Sequence, residues 1–356
     1  MAKRGNNLGA GKPKHASTGP TQSSNHVEKT PSQKAKEANR PETPISQSGN
    51  PAGGQKLSAR VVASHGRHFV ATDTEGKHWQ VFGKGKRREV AVGDVIQISP
   101  SGPEQAWIDA IQERKNLLYR SDALRSKLFA ANLDVVILVL AASPPYSPEL
   151  LGRTLTACEN AGIPLEIVFN KLDLVHDDPE FLEHIRDDLD DWTMGEMPIH
   201  WLSLTEAPED ACELMTDRLK NKTSLILGQS GMGKSTLINL LIPDAKLATN
   251  EVSLALNSGK HTTTNTQMHF GDEGIQVIDS PGFQAFGLHH LNEKDLLDAF
   301  PDIKGFGLRC RFDDCKHREE PSCAVKDAIE EGELSGSRFD LYNLLLAELE
   351  EARQQY

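Results

Sequence analysis

The chain has 356 residues, 38% of them hydrophobic, and a length that predicts two or three domains rather than one. Its formal net charge of −12 is unevenly spread: residues 1–56 hold nine Lys/Arg against three Asp/Glu, a net +6, and the other 300 residues carry −18. So acidic a body argues against indiscriminate binding of nucleic acid, and an apolar run no longer than Leu133–Ala142 argues against a helix crossing a bilayer.

Residues 1–56 are rich in Gly, Ser, Pro, Asn, Gln and Lys and contain almost no large apolar side chains. Such a segment cannot bury enough surface to offset its ordering entropy, so a disordered basic tail is expected. It reads either as a solubilising tail or as an arm that orders on a polyanion such as RNA. Met1–Pro20 has no apolar core, so no secretory signal is expected.

From Leu57 the pattern changes to short alternating strands at Ser58–Ala63, His68–Thr72, His78–Phe82, Val95–Ser99 and Ala106–Ile111. Five short strands separated by glycines predict a β-barrel, most simply an OB-fold, over residues 57–121. Lys84, Lys86, Arg87 and Arg88 fall in one connecting loop. They fit a solvated loop and a polynucleotide-facing one equally well.

Residues 122–300 alternate strands with helices, which predicts a mainly parallel sheet covered on both faces. The apolar runs are Val135–Ala141, Leu165–Phe169, Ile199–Leu202, Ser224–Leu227 and Ile275–Ile278. The amphipathic stretches lie near 148–161, 178–191, 207–220 and 234–242.

Asn170-Lys171-Leu172-Asp173 ends the second of these strands and reads as the N-K-x-D guanine motif. A carboxylate at Asp173 can accept hydrogen bonds from guanine N1–H and N2–H₂, which adenine lacks, while the Lys171 stem covers the base. Ser203-Leu204-Thr205 stands where the second guanine loop belongs. Gly228-Gln229-Ser230-Gly231-Met232-Gly233-Lys234-Ser235-Thr236 follows a strand and opens a helix, as a P-loop must. Its glycines let backbone N–H groups wrap a triphosphate, Lys234 reaches the β- and γ-phosphates, and Ser235 holds Mg²⁺. His261 and the block Thr262–Thr264 occupy the switch I position, where one threonine closes the Mg²⁺ shell. The block offers three candidates, Thr263 central among them. Asp279-Ser280-Pro281-Gly282 reads as D-x-x-G, with Asp279 toward Mg²⁺ and the Gly282 N–H toward the γ-phosphate. The water-positioning Gln of many GTPases is here Phe283, so His261 is the best in-chain substitute.

The guanine motifs at 170 and 203 precede the P-loop, the threonines and D-x-P-G. This is a circularly permuted order, compatible with an unchanged sheet if the ancestral ends lay close together. Switch II then leads directly into the C-terminal segment and can couple the nucleotide to it.

Residues 301–356 hold Cys310, Cys315, His317 and Cys323, three of the five cysteines in the chain, followed by a helical tail from Ser337. Cys₃His suits a closed, tetrahedral, structural Zn²⁺, one per chain, in a segment too small for a core of its own. The remaining two cysteines are read as core thiols in a reducing compartment.

The expected fold class is therefore a circularly permuted α/β P-loop GTPase domain with an N-terminal OB-fold barrel and a C-terminal zinc-binding helical domain. This combination, over about residues 57 to 350, resembles the bacterial ribosome small subunit-dependent GTPase A family (RsgA, also called YjeQ). The resemblance implies a cytoplasmic, monomeric late assembly factor of the small (30S) ribosomal subunit, with no membrane partner. It implies GTP hydrolysis to GDP stimulated by that subunit and release on hydrolysis. It also implies contact of barrel and zinc domain with rRNA near the decoding region. His261 matches the family's switch histidine. Some permuted relatives bind potassium through a P-loop Asn, but the matching residue here is Gly231, so no potassium site is expected. The alternative is an RNA-binding barrel and zinc module in which GTP is a structural or regulatory ligand.

Overall fold

The computed structural model describes residues 56–65, 68–83, 89–122, 125–249, 266–279, 288 and 290–354. The tail before Lys56, the basic loop Lys84–Arg88, the switch I block and Ser280–Gly282 lie outside the described residues.

The first five strands are β1 (Leu57–Ser64), β2 (Phe69–Asp73), β3 (His78–Gly83), β4 (Val95–Pro100) and β5 (Gln105–Ile111). They pair in the order β1-β2-β3-β5-β4, and β1 also pairs with β4, so the sheet closes on itself. β3 and β5 run parallel and the other pairs antiparallel, the strand order of an OB-fold. Val61, Ala71, Val81, Ile96, Ile98 and Ile108 alternate inward and are fully buried. A hairpin follows, β6 (Leu117–Asp122) and β7 (Arg125–Ala131), which the sequence reading does not anticipate. The division expected at 121/122 falls at its tip.

The second sheet is built from β8 (Val135–Ala141), β9 (Leu165–Asn170), β10 (Ile199–Trp201), β11 (Thr223–Leu227), β12 (Gln267–Phe270) and β13 (Gln276–Asp279). Its order is β10-β9-β8-β11-β13-β12, parallel except for β12. Between the strands run α1 (Pro148–Ala161), α2 (Pro179–Thr193), α3 (Pro208–Leu219) and α4 (Lys234–Leu241). β8 shows why its run is apolar without alternation: Val136, Leu138 and Leu140 enter the core beneath α1 and α2, while Val135, Ile137 and Val139 enter the core beneath α3 and α4. α1 starts where Ser147 accepts a hydrogen bond from the Leu150 N–H ahead of Pro148 at the first position.

One charged group is buried in this sheet. Glu166 on β9 meets His200 Nε2 at 2.8 Å and Arg218 Nη2 at 2.6 Å. Burial works to raise its pKa, but the hydrogen bonds and charges of His200 and Arg218 prevail and hold the carboxyl down at about 2. The folded value lies below the unfolded one. The stability it contributes is therefore complete above about pH 5 and is lost as pH falls toward 2. Glu166→Gln is expected to flatten the acid side of the stability curve in that window by about 2 kcal/mol, read from urea midpoints of both proteins at stepped pH.

β12 lies antiparallel to β1 as well as to β13, with Ala63 opposite Gln267. Barrel and second sheet thus share one ladder. Arg60 of β1 braces the joint, donating to Thr223 Oγ1 at 3.3 Å and to Gln276 Oε1.

The C-terminal helices are α5 (Glu293–Asp298), α6 (Pro301–Gly307), α7 (Ala324–Glu330) and α8 (Gly336–Gln354). They place Ile303, Val325, Leu345 and Leu349 in the same core as α1 and β8. α8 approaches α1 closely at Gly152, where an added Cβ would stand 2.9 Å from Leu341 and Leu345 methyls. Arg153 pairs with Glu348 at 2.8 Å across the same contact.

Candidate nucleotide and metal sites

The loop from Gly228 to Gly233 joins β11 to α4, and α4 begins at Lys234. Gly228 and Gly233 have φ of 142° and 106°, conformations that L side chains rarely adopt. A Cβ on Gly228 would stand 2.3 Å from the Val139 carbonyl, and one on Gly233 would stand 2.2 Å from Asn170 Nδ2. Glycine at these two places is what allows the loop to lie on β8 and on the end of β9.

That second approach joins the two distant motifs. Asn170 is buried, and its Nδ2 donates to the Met232 carbonyl at 2.8 Å. Its Oδ1 accepts from the Leu204 N–H at 3.1 Å. One amide therefore clamps the P-loop, the end of β9 and the 203–205 loop together. Lys171 turns the chain out of β9 with a left-handed φ of 63°. Its Nζ donates to the Ser143 carbonyl at 2.6 Å. Asp173 follows, half-buried, with its carboxylate accepting from the Ser203 hydroxyl. Ser203 thus fixes the group that the guanine reading needs oriented.

Lys234 extends along the inside of its own loop, and its Nζ donates to the Gln229 carbonyl at 2.7 Å. Burial lowers its pKa, and the negative charge of Asp279 works against that. Asp279 ends β13 opposite Ile226 of β11, two residues before the P-loop. Ser235 and Thr236 lie in the first turn of α4. His261, Thr263 and Gly282 lie outside the described residues.

The sequence reading overlooks the stretch 142–147 after β8. Ser147 N–H donates to Gln229 Oε1 at 2.9 Å, and Ser143 receives Lys171. A cavity of about 360 Å³ opens here, between Pro144, Ser147, Arg153, Gln229, Ser230 and Met232. The available signal was Ser143-Pro144-Pro145, a run that cannot continue a central strand.

Cys310, Cys315, His317 and Cys323 converge, with one ligand atom from each within 4.8 Å of the others. Cys310 Sγ is 3.9 Å from Cys323 Sγ and 3.6 Å from His317 Nδ1, and His317 Nδ1 is 3.4 Å from Cys323 Sγ. Sulfur ligands on a tetrahedral Zn²⁺ lie roughly 3.8 Å apart, given Zn–S bonds of about 2.3 Å. The donor set and its spacing therefore fit a closed four-coordinate metal.

Comparison with known proteins agrees with this geometry. Residues 111–289 match the family described as RsgA GTPase. The chain is 44% identical over 308 residues to a Burkholderia pseudomallei protein named small ribosomal subunit biogenesis GTPase RsgA, covering 86% of this chain and 97% of that one. A Paraburkholderia xenovorans protein of the same name is 46% identical over 314 residues, covering 86% and 96%. Among solved structures, YjeQ from Thermotoga maritima has a TM-score of 0.62 at 29% identity, over 83% of this chain and 99% of that one. YloQ, described as a circularly permuted GTPase, has a TM-score of 0.61 at 24% identity and is similar in fold, over 83% and 96%.

Proposed function

This chain belongs to the RsgA GTPase family, and from that premise we propose that it is a GTP hydrolase acting in maturation of the small (30S) ribosomal subunit. In this reading it binds the subunit's rRNA in the GTP state, is stimulated by the subunit and leaves on hydrolysis. The observation that carries the nucleotide half is the Asn170 clamp, which joins the N-K-L-D segment to a P-loop more than fifty residues away. The relatives' shared name supports the small-subunit half.

We assign roles as follows. Asp173, oriented by Ser203, accepts the guanine N1–H and N2–H₂, and Lys171 covers the base. Asn170 is a positioning residue that sets the distance between base and phosphate ends. The backbone of Gly228, Gln229, Ser230, Gly231, Met232 and Gly233 wraps the phosphates, with Lys234 on the β- and γ-phosphates and Thr236 beside them. Ser235 and Asp279 would hold Mg²⁺, which supplies charge neutralisation to the transferring phosphoryl group. Gly282 and Thr263 close on the γ-phosphate, and His261 orients the attacking water. The reading is of a monomer working in the bacterial cytoplasm.

The metal cluster is proposed to hold one structural Zn²⁺ on Cys310, Cys315, His317 and Cys323. It would stiffen the segment between α6 and α7 and offers no open position for catalysis. Stripping metal with a chelator is expected to release one zinc per chain and lower the melting midpoint by roughly 5 °C or more. Cys323→Ser should show the same loss without chelator. A protein that melts unchanged after complete metal removal would reject the structural role.

The deciding experiment for the whole proposal is phosphate release with and without purified small ribosomal subunits. Turnover should rise sharply with the subunits and fall away as salt rises, because phosphate contacts release counterions. Turnover indifferent to them would leave a GTPase without this partner.

A further inference from the structure

The outer face of the barrel carries a row of rings that the barrel core does not use. On β3 and β5 the buried residues are Trp79, Val81, Ala106 and Ile108, so the alternate positions Phe82 and Trp107 point outward. Phe82 and Trp107 are register partners, with ring centroids 5.9 Å apart. Phe82 meets His68, just before β2, at 6.1 Å, and His68 stacks on His65, just after β1, at 5.3 Å. Each step lies within the range of direct aromatic contact. The result is a continuous ladder of four rings running from the β1–β2 connection across β3 to β5, ending on a Trp107 that is 41% exposed.

We propose that this ladder is a stacking platform for unpaired RNA bases, with Trp107 and Phe82 as its principal contacts. Three features favour that ligand. The side chains of the row are aromatic rather than aliphatic, and bases stack on aromatic rings whatever their sequence. The next row of the same face carries amides: Gln80 and Gln105 sit opposite each other, with Gln105 Nε2 donating to Gln80 Oε1 at 3.4 Å. Amides beside rings can read base edges once the faces are stacked. Charge in the sequence is complementary as well: Arg67 precedes His68, and Lys84, Lys86, Arg87 and Arg88 follow Phe82 closely in the chain, although all five lie outside the described residues. Asp109, the next outward position on β5, accepts a hydrogen bond from Ser99. An intact duplex offers phosphates and groove edges but hides its base faces, so the platform selects single-stranded or looped RNA.

The inference rests on the RNA-binding part of the proposed function and specifies the chemistry of one surface. The opposing explanation is that the rings only stabilise the sheet as cross-strand pairs. The test uses the full chain and two fluorescent probes, a single-stranded RNA of about 12 nucleotides and the same strand in a duplex, at roughly 0.15 M salt. The single strand should bind more tightly than the duplex. Trp107→Ala and Phe82→Ala should each weaken it by roughly tenfold. Trp107→Phe should restore most of the binding, and Trp107→Leu, which keeps apolar bulk, should not. Thermal melts of the same variants separate binding from folding. Leucine binding as well as phenylalanine, or a preference for the duplex, overturns the proposal. Subunit stimulation of turnover is a separate readout, so it can fail while the ladder still binds RNA.

Discussion

GTP turnover by Lys234→Ala is expected to fall about 10³-fold, with and without small subunits. The amine is half-buried and lies along the inside of the loop, hydrogen-bonded to the Gln229 carbonyl. That carbonyl is a weak partner for a partly desolvated cation, so the resting contact holds the side chain extended while leaving it ready for a stronger acceptor. In the proposed function the β- and γ-phosphate oxygens are that acceptor. Charge on the leaving and transferring groups grows as the bond to the γ-phosphoryl breaks, so the contact is worth more in the transition state than in the bound ground state. Removing it should therefore lower kcat more than it raises KM. Lys234→Arg should not rescue the rate, because a planar guanidinium cannot fit the space a loop of glycines leaves for a narrow ammonium. Single-turnover phosphate release at saturating GTP checks the claim. A variant retaining a tenth of the unaltered rate would remove Lys234 from the chemistry.

The joint between barrel and nucleotide sheet gives the permuted order a structural consequence. β12 begins at Gln267, three residues beyond the threonine block, and it pairs with β1 of the barrel on one side and β13 on the other. The Ser64 N–H donates to the Thr266 carbonyl at 3.3 Å at the same place. The strand that follows the threonine block is thus hydrogen-bonded directly to the barrel, and the next described helix after Asp279 is α5. α5 is held in turn on α1, where Asn160 Nδ2 donates to the Asp295 carbonyl at 2.7 Å. The strand that follows the threonine block in sequence is therefore tied to the barrel, and the helix that follows Ser280–Gly282 in sequence is tied to α1.

Much of this arrangement was legible in the residues. Val135–Ala141 is both the expected and the observed span of β8, and the α1 helix runs over the expected 148–161. Each has a local cause: an unbroken β-branched and leucine run for the strand, Ser147-Pro148 and Gly162 as stops for the helix. The P-loop, N-K-L-D and Cys/His patterns were readable because their chemistry fixes spacing. What was not readable has non-local causes. The β6–β7 hairpin has no Gly or Pro at the expected turn signal among its described residues, and Leu117, Leu118, Phe129 and Ala130 are apolar because they are buried by other elements. The pairing of β12 with β1 joins residues two hundred apart, and no local pattern encodes a register over that distance. α5 was detectable after all: Asn292 and Asp295 form a capping box, a signal that short helices carry even without periodicity. The Asn170 clamp shows a different limit. Its residue type marks the guanine motif, but that its amide faces the P-loop backbone follows only from the fold.

Asp173→Asn is expected to weaken GTP binding about 10²-fold while improving the binding of xanthosine triphosphate. The carboxylate is presented by the turn at Lys171 and oriented by the Ser203 hydroxyl, so in the proposed function it would meet the base with two acceptor oxygens. Guanine answers with two donors, N1–H and N2–H₂. An amide keeps one acceptor but turns the other into an NH₂ group, which faces the guanine amine donor to donor. Xanthine carries a carbonyl where guanine carries that amine, so the new donor finds an acceptor and the pairing is restored. The substitution leaves volume nearly unchanged, which separates a base-recognition defect from a folding one. Competition between the two triphosphates against a fluorescent guanine nucleotide measures the exchange. Equal loss of both would mean that Asp173 supports the loop through Ser203 without touching the base, and the guanine assignment would have to be withdrawn.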